Sequence, residues 1–310
     1  MPTHPDLIPT RLNTRDFLQR HIQVLEDLLG PDWFKAHPQR TASPPSHPAL
    51  NSWRFLRYVA GRRGRLRSPL EAAFLLFALL DNTHVVACSD GDVARLRVGG
   101  YGRYGKAAAV AKMKKRLRDP KQFASQMTEF AIASHFGDRA DVIPITTKSS
   151  ADLRVNFPDH GVPLIIECKT LQQGTGPDRC ERIVKKANLQ IKGTDEPAYG
   201  MLVVDMRETG MAFTPRHINE PPPPVRAVAL ECERLLNREL CCSVSAALIV
   251  WNRCHFLGQP KPGGKSLVFL ERRSILIPHR HARTPLLLDF YSTEIAFTTM
   301  IQVSWADTRG

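Results

Sequence analysis

A mixed α/β fold with a mainly helical N-terminal region is what this sequence predicts, on three observations. Short runs with strand character, "ADVIPIT", "ADLRVNF" and "PLIIECKT", follow one another between residues 140 and 170. Segments with helical periodicity stand before and after them, so hairpins give way to a crossover connection and the sheet has to be mixed. The N-terminal part carries helix-start signals instead. With 310 residues, 43% of them hydrophobic, the chain can bury a sizeable core as one large or two modest domains.

The elements follow in order. Residues 13–29 read as a helix: Asn13 or Thr14 caps it, Phe17, Leu18, Ile22, Leu25 and Leu28 follow the 3.6 period, and Gly30 with Pro31 ends it. The Pro- and Ser-rich stretch 37–52 reads as a linker or exposed loop. Ser68, Pro69 and Glu71 form a helix-start signature for a helix running to about Leu80. Gly99, Gly100, Gly102 and Gly105 mark a loop that lacks the spacing and preceding strand of a P-loop. Asp119 caps the next helix, Pro120 takes its first position, Gln122 completes a capping box of the broad kind, and Gly137 ends it. After the three strands, 178–192 reads as a helix and 199–206 as a buried strand. A tetraproline spacer at 221–224, a helix over 225–240 and a strand at 245–251 come next. The runs "KSLVFLERRSILI" and "LLLDFYSTEIAFTTMI" make the C-terminal region strand-rich.

Lys and Arg outnumber Asp and Glu by 43 to 30, a formal charge of +13 that suits a polyanionic partner such as nucleic acid or an anionic membrane surface. The positive charge is concentrated in two runs. Arg62, Arg63 and Arg65 lie in the first, and Lys112, Lys114, Lys115 and Arg116 in the second; both are candidate phosphate contacts. The apolar run at 72–80 is too short to span a bilayer and is followed by Asp81, so no membrane partner is expected. The N-terminal segment has no apolar h-region. Seven cysteines, an odd number without any CxxC pair, argue against a disulfide framework or zinc knuckle. A reducing, cytoplasmic setting is the expectation.

The chemistry concentrates in "GVPLIIECKT", residues 161–170. Alternation along a strand puts Glu167 and Lys169 on one face and Leu164, Ile166 and Cys168 on the other. The charged residues thus stand at the C-terminal end of the strand, where open α/β sheets build their sites. Such a triplet alone is common, and the D-P-K triplet at 119–121 falls at a helix cap. In "SADLRVNF", Asp152 shares a face with Arg154 and Asn156, opposite Ala151, Leu153 and Val155. A hairpin through "PDHGV" would bring Asp152 beside Glu167. Two adjacent carboxylates repel unless a cation joins them, and oxygen ligands of this kind suit Mg²⁺ or Mn²⁺. A neighbouring lysine can position a water or stabilise a pentavalent phosphate.

Asp152, followed fifteen residues later by Glu167–Cys168–Lys169 at a strand end, resembles the PD-(D/E)xK nuclease superfamily with its restriction-endonuclease-like fold. The resemblance covers residues 119–251 and departs from the family name in having Ala151, not proline, before Asp152. It implies a helix, a three-stranded meander, a crossover helix and a further strand. It also implies roles for Glu129, in the preceding helix, as a further metal ligand, and for the backbone carbonyl of Cys168. Lys186 and Gln190, on the helix after the triplet, would orient a phosphate or a water.

The expected function is therefore a Mg²⁺-dependent (or Mn²⁺-dependent) deoxyribonuclease, an endonuclease in restriction, defence or repair. Two alternatives stand beside it: a non-cleaving or partner-activated nucleic-acid-binding protein on the same fold, and an α/β protein whose acidic strand ends are surface salt bridges. DNA is the expected partner, RNA the second candidate. Because many relatives dimerise, a homodimer is an expectation too. Residues 1–112 would be an accessory, DNA-binding region, 113–255 the nuclease-like core and 256–310 a strand-rich extension.

Overall fold

A computed structural model describes residues 15–36, 47–68, 70–79, 114–136, 141–144, 151–157, 161–171, 177–193, 197–206, 212–213, 220–238, 241–257, 265–285 and 299–306. The glycines at 99–105, Lys112 and most of the stretch 286–301 lie outside these residues. The helices are α1 (Arg15–Leu29), α2 (Pro31–Lys35), α3 (Pro48–Gly61), α4 (70–79), α5 (114–118), α6 (Pro120–Phe136), α7 (Pro177–Lys192) and α8 (Pro223–Leu236). The strands are β1 (Asp141–Pro144), β2 (Leu153–Asn156), β3 (Leu164–Thr170), β4 (Tyr199–Asp205), β5 (Ala212–Phe213), β6 (Ala246–Leu257), β7 (Lys265–Pro278) and β8 (Thr299–Ala306).

These eight strands form one mixed sheet in the order β1-β2-β3-β4-β6-β7-β8, with β5 against β6. Strands β1 to β3 are an antiparallel meander, β3, β4 and β6 run parallel, and β6 to β8 are antiparallel again. The C-terminal strands thus extend the same sheet. Helix α7 is the crossover between β3 and β4, as the hairpin-then-helix order requires.

Strict alternation divides the central strands between two cores. Leu164, Ile166 and Cys168 of β3, Met201 and Val203 of β4, and Leu248 and Val250 of β6 face one side, with Phe123, Met127 and Phe130 of α6. Ile165, Leu202, Val204, Ile249 and Trp251 face the other, with Val184, Ala187 and Ile191 of α7 and Val225, Val228 and Cys232 of α8. The α6-side core continues into the N-terminal helices through Leu18, Ile22, Trp53, Leu56, Leu75 and Leu79. One apolar body therefore joins helices that the sequence set apart as an accessory region.

Two helix starts carry caps read from the sequence, although Gln122 meets the Asp119 carboxylate instead of closing a capping box, and Asn13, Thr14 and Gly137 lie outside the described residues. Lys121 and Gln122 donate to the Asp119 carboxylate (2.9 and 2.6 Å), and the Glu71 amide donates to Ser68 Oγ (3.1 Å). The tetraproline is not a separate spacer. Pro223 and Pro224 open α8, where a missing N–H costs no intrahelical bond. At the start of β4, a Cβ on Gly200 would lie 2.0 Å from the Ser243 carbonyl oxygen and 2.8 Å from Ile191 Cγ2. Only glycine lets the C-terminal turns of α7 come this close to the strand.

Candidate active site

The site is built where β2 begins and β3 ends. Leu153 pairs with Ile166 in the antiparallel register, and the Asp152 amide donates to the Ile166 carbonyl at 2.9 Å. There the chain bends. The Asp152 carboxylate turns onto the sheet and accepts from the Cys168 amide at 2.8 Å, standing in for the next main-chain partner of the ladder. The bend also rotates Ala151 into the α7-side core, while Leu153 and Val155 face α6. The simple alternation read from the sequence therefore holds only from Leu153 onward.

Glu167 and Lys169 project together on the α7 side and form an ion pair, with the Glu167 side chain 0% and that of Lys169 20% exposed. Glu167 Oε2 is buried and has no hydrogen-bond partner among the described residues. Burial lowers the Lys169 pKa, an effect that Asp152 opposes and Lys186 reinforces. Asp152 is pushed upward by burial, against the pull of Lys169, the Cys168 amide, Arg116 and Lys186. The Cys168 thiol lies in the core, held protonated by burial and by the charges of Asp152, Glu129 and Asp205.

Glu129 is a buried residue of α6. Both terminal guanidinium nitrogens of Arg116, Nη1 and Nη2, donate to its carboxylate, and Gln126 Nε2 donates to Oε2 at 3.0 Å. Burial first, and Asp152 second, raise its pKa to about 7. An acid in an apolar helix stripe, "MTEFAIA", was the signal for burial; its arginine partner was hidden inside a basic run. Among the described residues no three or more His, Cys, Asp or Glu side chains converge to enclose a metal ion. The three-carboxylate set of Asp152, Glu167 and Glu129 is thus not displayed as such, and Glu129 is paired with Arg116 instead. The residues fit a smaller donor set. Glu167 Oε2 and the Asp152 carboxylate, with the Cys168 carbonyl, are oxygens of the kind a hydrated divalent ion accepts.

Behind this end of the sheet lies a polar cluster the sequence did not single out. Asp205, paired in register with Thr170, accepts from Thr128 Oγ1 (2.6 Å) and from Arg272 Nη2 (2.9 Å), and both members of the ion pair are 0% exposed. Thr128 also contacts Thr170 at 3.1 Å. The aspartate in "LVVDM" was the available hint.

The remaining candidates are dispersed. Lys186 faces the β3 end, in a cleft with Lys169. Gln190 lies one turn further along α7, toward the end that meets the start of β4. Arg62 pairs with Glu71 and donates to Tyr58 Oη at 2.8 Å, whereas Arg63 and Arg65 are exposed. Lys114 and Lys115 line an open depression with Arg118 and Asp119, and Arg118 itself donates to the Leu29 carbonyl. No family model, curated protein or solved structure matches the chain.

Proposed function

We propose that the chain is a divalent-metal-dependent deoxyribonuclease with a PD-(D/E)xK-type site on a restriction-endonuclease-like core, an endonuclease of restriction, defence or repair. One observation supports it most: the Asp152 carboxylate is fastened to the amide between Glu167 and Lys169, so two acids and a lysine share one end of the sheet. Asp152 and Glu167 would hold Mg²⁺ or Mn²⁺, with the Cys168 carbonyl and waters completing the shell. The ion, when bound, supplies a Lewis acid for a phosphoryl oxygen and a more acidic water. Lys169 orients that water or receives the charge developing on phosphate. Glu129 and Arg116 set the charge behind Asp152.

A second reading, a nucleic-acid-binding protein that cleaves only when a partner activates it, is favoured by a different observation. Lys169 and Glu129 are already engaged within the site, by ion pairs to Glu167 and to Arg116. Cleavage of linear, nicked, branched and single-stranded DNA and of RNA, with Mg²⁺ or Mn²⁺ titrated, separates the two. The nuclease reading expects metal-dependent cutting that Glu167→Ala and Lys169→Ala each abolish; cutting that survives in both variants would remove it.

A further inference from the structure

Between α7 and the C-terminal end of β3 lies an open cleft of about 420 Å³, lined by Lys169, Arg179, Arg182, Ile183 and Lys186. The four α7 residues recur at i, i+3, i+4 and i+7, one face of a helix. Ile183 packs on the α7-side core and fixes how that face is turned. Arg182 and Lys186 are exposed, and none of the described carboxylates pairs with Arg179, Arg182 or Lys186. The contrast with their neighbours is informative. Lys185, on the next flank, is neutralised by Glu181 at 2.7 Å, and Arg62 and Arg116 are paired with acids. Arg63, Arg65, Lys114 and Lys115 have no described acid partner either, but the α7 cations share their cleft with Lys169.

We infer that this cleft holds the sugar–phosphate backbone of a polynucleotide, with successive phosphates against Arg179, Arg182 and Lys186 and the reacting one next to Lys169. The spacing supports a strand over a single small anion. Seven residues of helix span about 10 Å, and one strand of a duplex carries a phosphate about every 3.4 Å along its axis. Cations spread along that length can each meet a different phosphate of one strand, whereas one phosphate would need them to converge. The inference rests on the proposed nuclease function for the nature of the polyanion, and it moves the nucleic-acid contacts from the N-terminal basic runs to α7.

The test uses the full chain without divalent metal and follows anisotropy of a fluorescein-labelled DNA duplex, and of the matching single strand, over a NaCl series. The variant Arg179→Gln/Arg182→Gln/Lys186→Gln is compared with Lys114→Gln/Lys115→Gln, circular dichroism confirming that each is folded. The triple variant should lose about 2.7 from the slope of log affinity against log salt on the duplex and about 2.1 on the single strand, with the Lys114/Lys115 variant close to wild type. Arg182→Gln alone should lose about 0.9 on the duplex. A wild-type slope in the triple variant, or a loss confined to the Lys114/Lys115 variant, overturns the inference. So does a chain that binds neither oligonucleotide. Cleavage is scored in parallel: a binding defect in the triple variant, with no cutting by the wild type under any metal, keeps the cleft and removes the nuclease reading. Cutting with an unchanged slope does the reverse.

Discussion

Lys169 and Arg116 each hold a buried carboxylate, and the two should respond to substitution differently. Lys169→Met leaves Glu167, fully buried, without its described partner. An uncompensated buried charge costs on the order of 3 kcal/mol, so this variant should lose stability to urea as well as any cleavage. Arg116→Met should be pH-dependent. Glu129 has its pKa raised from 4.5 to about 7, so its protonated form contributes stability that is complete below about pH 4.5 and lost as the pH rises through 7. Removing Arg116 should therefore destabilise strongly at pH 8 and little at pH 5, and Glu129→Gln should flatten the pH–stability profile between those values. Urea midpoints at both pH values decide this. At this scale Asp152, Glu167 and Lys169 were legible from their spacing at a strand end, and Glu129 from its place in the helix before them, whereas the burial of Glu167 and Glu129 was not foreseen. Nor was Arg116, since a guanidinium in a basic run carries no mark of the acid it will meet, thirteen residues away.

Strands β3 and β4 and helices α6 and α7 lie close to where the sequence put them, whereas β6, read as ending at 251, runs on to Leu257. What periodicity cannot supply is the close approach of one element to another. Gly200 reads as an ordinary small residue, yet it is where α7 and the Ser243 turn press on β4. Gly200→Ala should cost about 1–3 kcal/mol by overpacking, seen as a lower urea midpoint with an unchanged slope. The Asp205–Arg272 pair is hidden for the same reason, since 67 residues separate two groups that meet only after β6 and β7 have closed the sheet. Asp205→Ala, which breaks a fully buried ion pair, should cost on the order of 3–5 kcal/mol.

Across the whole molecule, the α6-side core runs from Leu18 and Trp53 to Leu248 and Leu270 without a break. Composition suggested separate regions because the helices and strands are segregated along the chain. The apolar faces could not reveal that they share one interior. A shared interior implies cooperative melting. Thermal unfolding followed by far-ultraviolet dichroism, which weights the helices, and by tryptophan fluorescence should give coincident transitions. Removing residues 1–112 should uncover Phe123, whose ring meets His47, and leave the remainder aggregation-prone, as light scattering would register.

The strand cap at Asp152 makes one amide proton into a gauge. The Cys168 N–H is bound by a carboxylate rather than by a carbonyl, so its chemical shift and solvent-exchange rate track the charge and position of that side chain. A cation drawing Asp152 away would deshield less and exchange faster at this single amide. Nitrogen-15 spectra of the resting protein can therefore report entry of a metal without any turnover. Asp152→Asn, whose amide oxygen can still accept, should keep the amide protected and abolish the response.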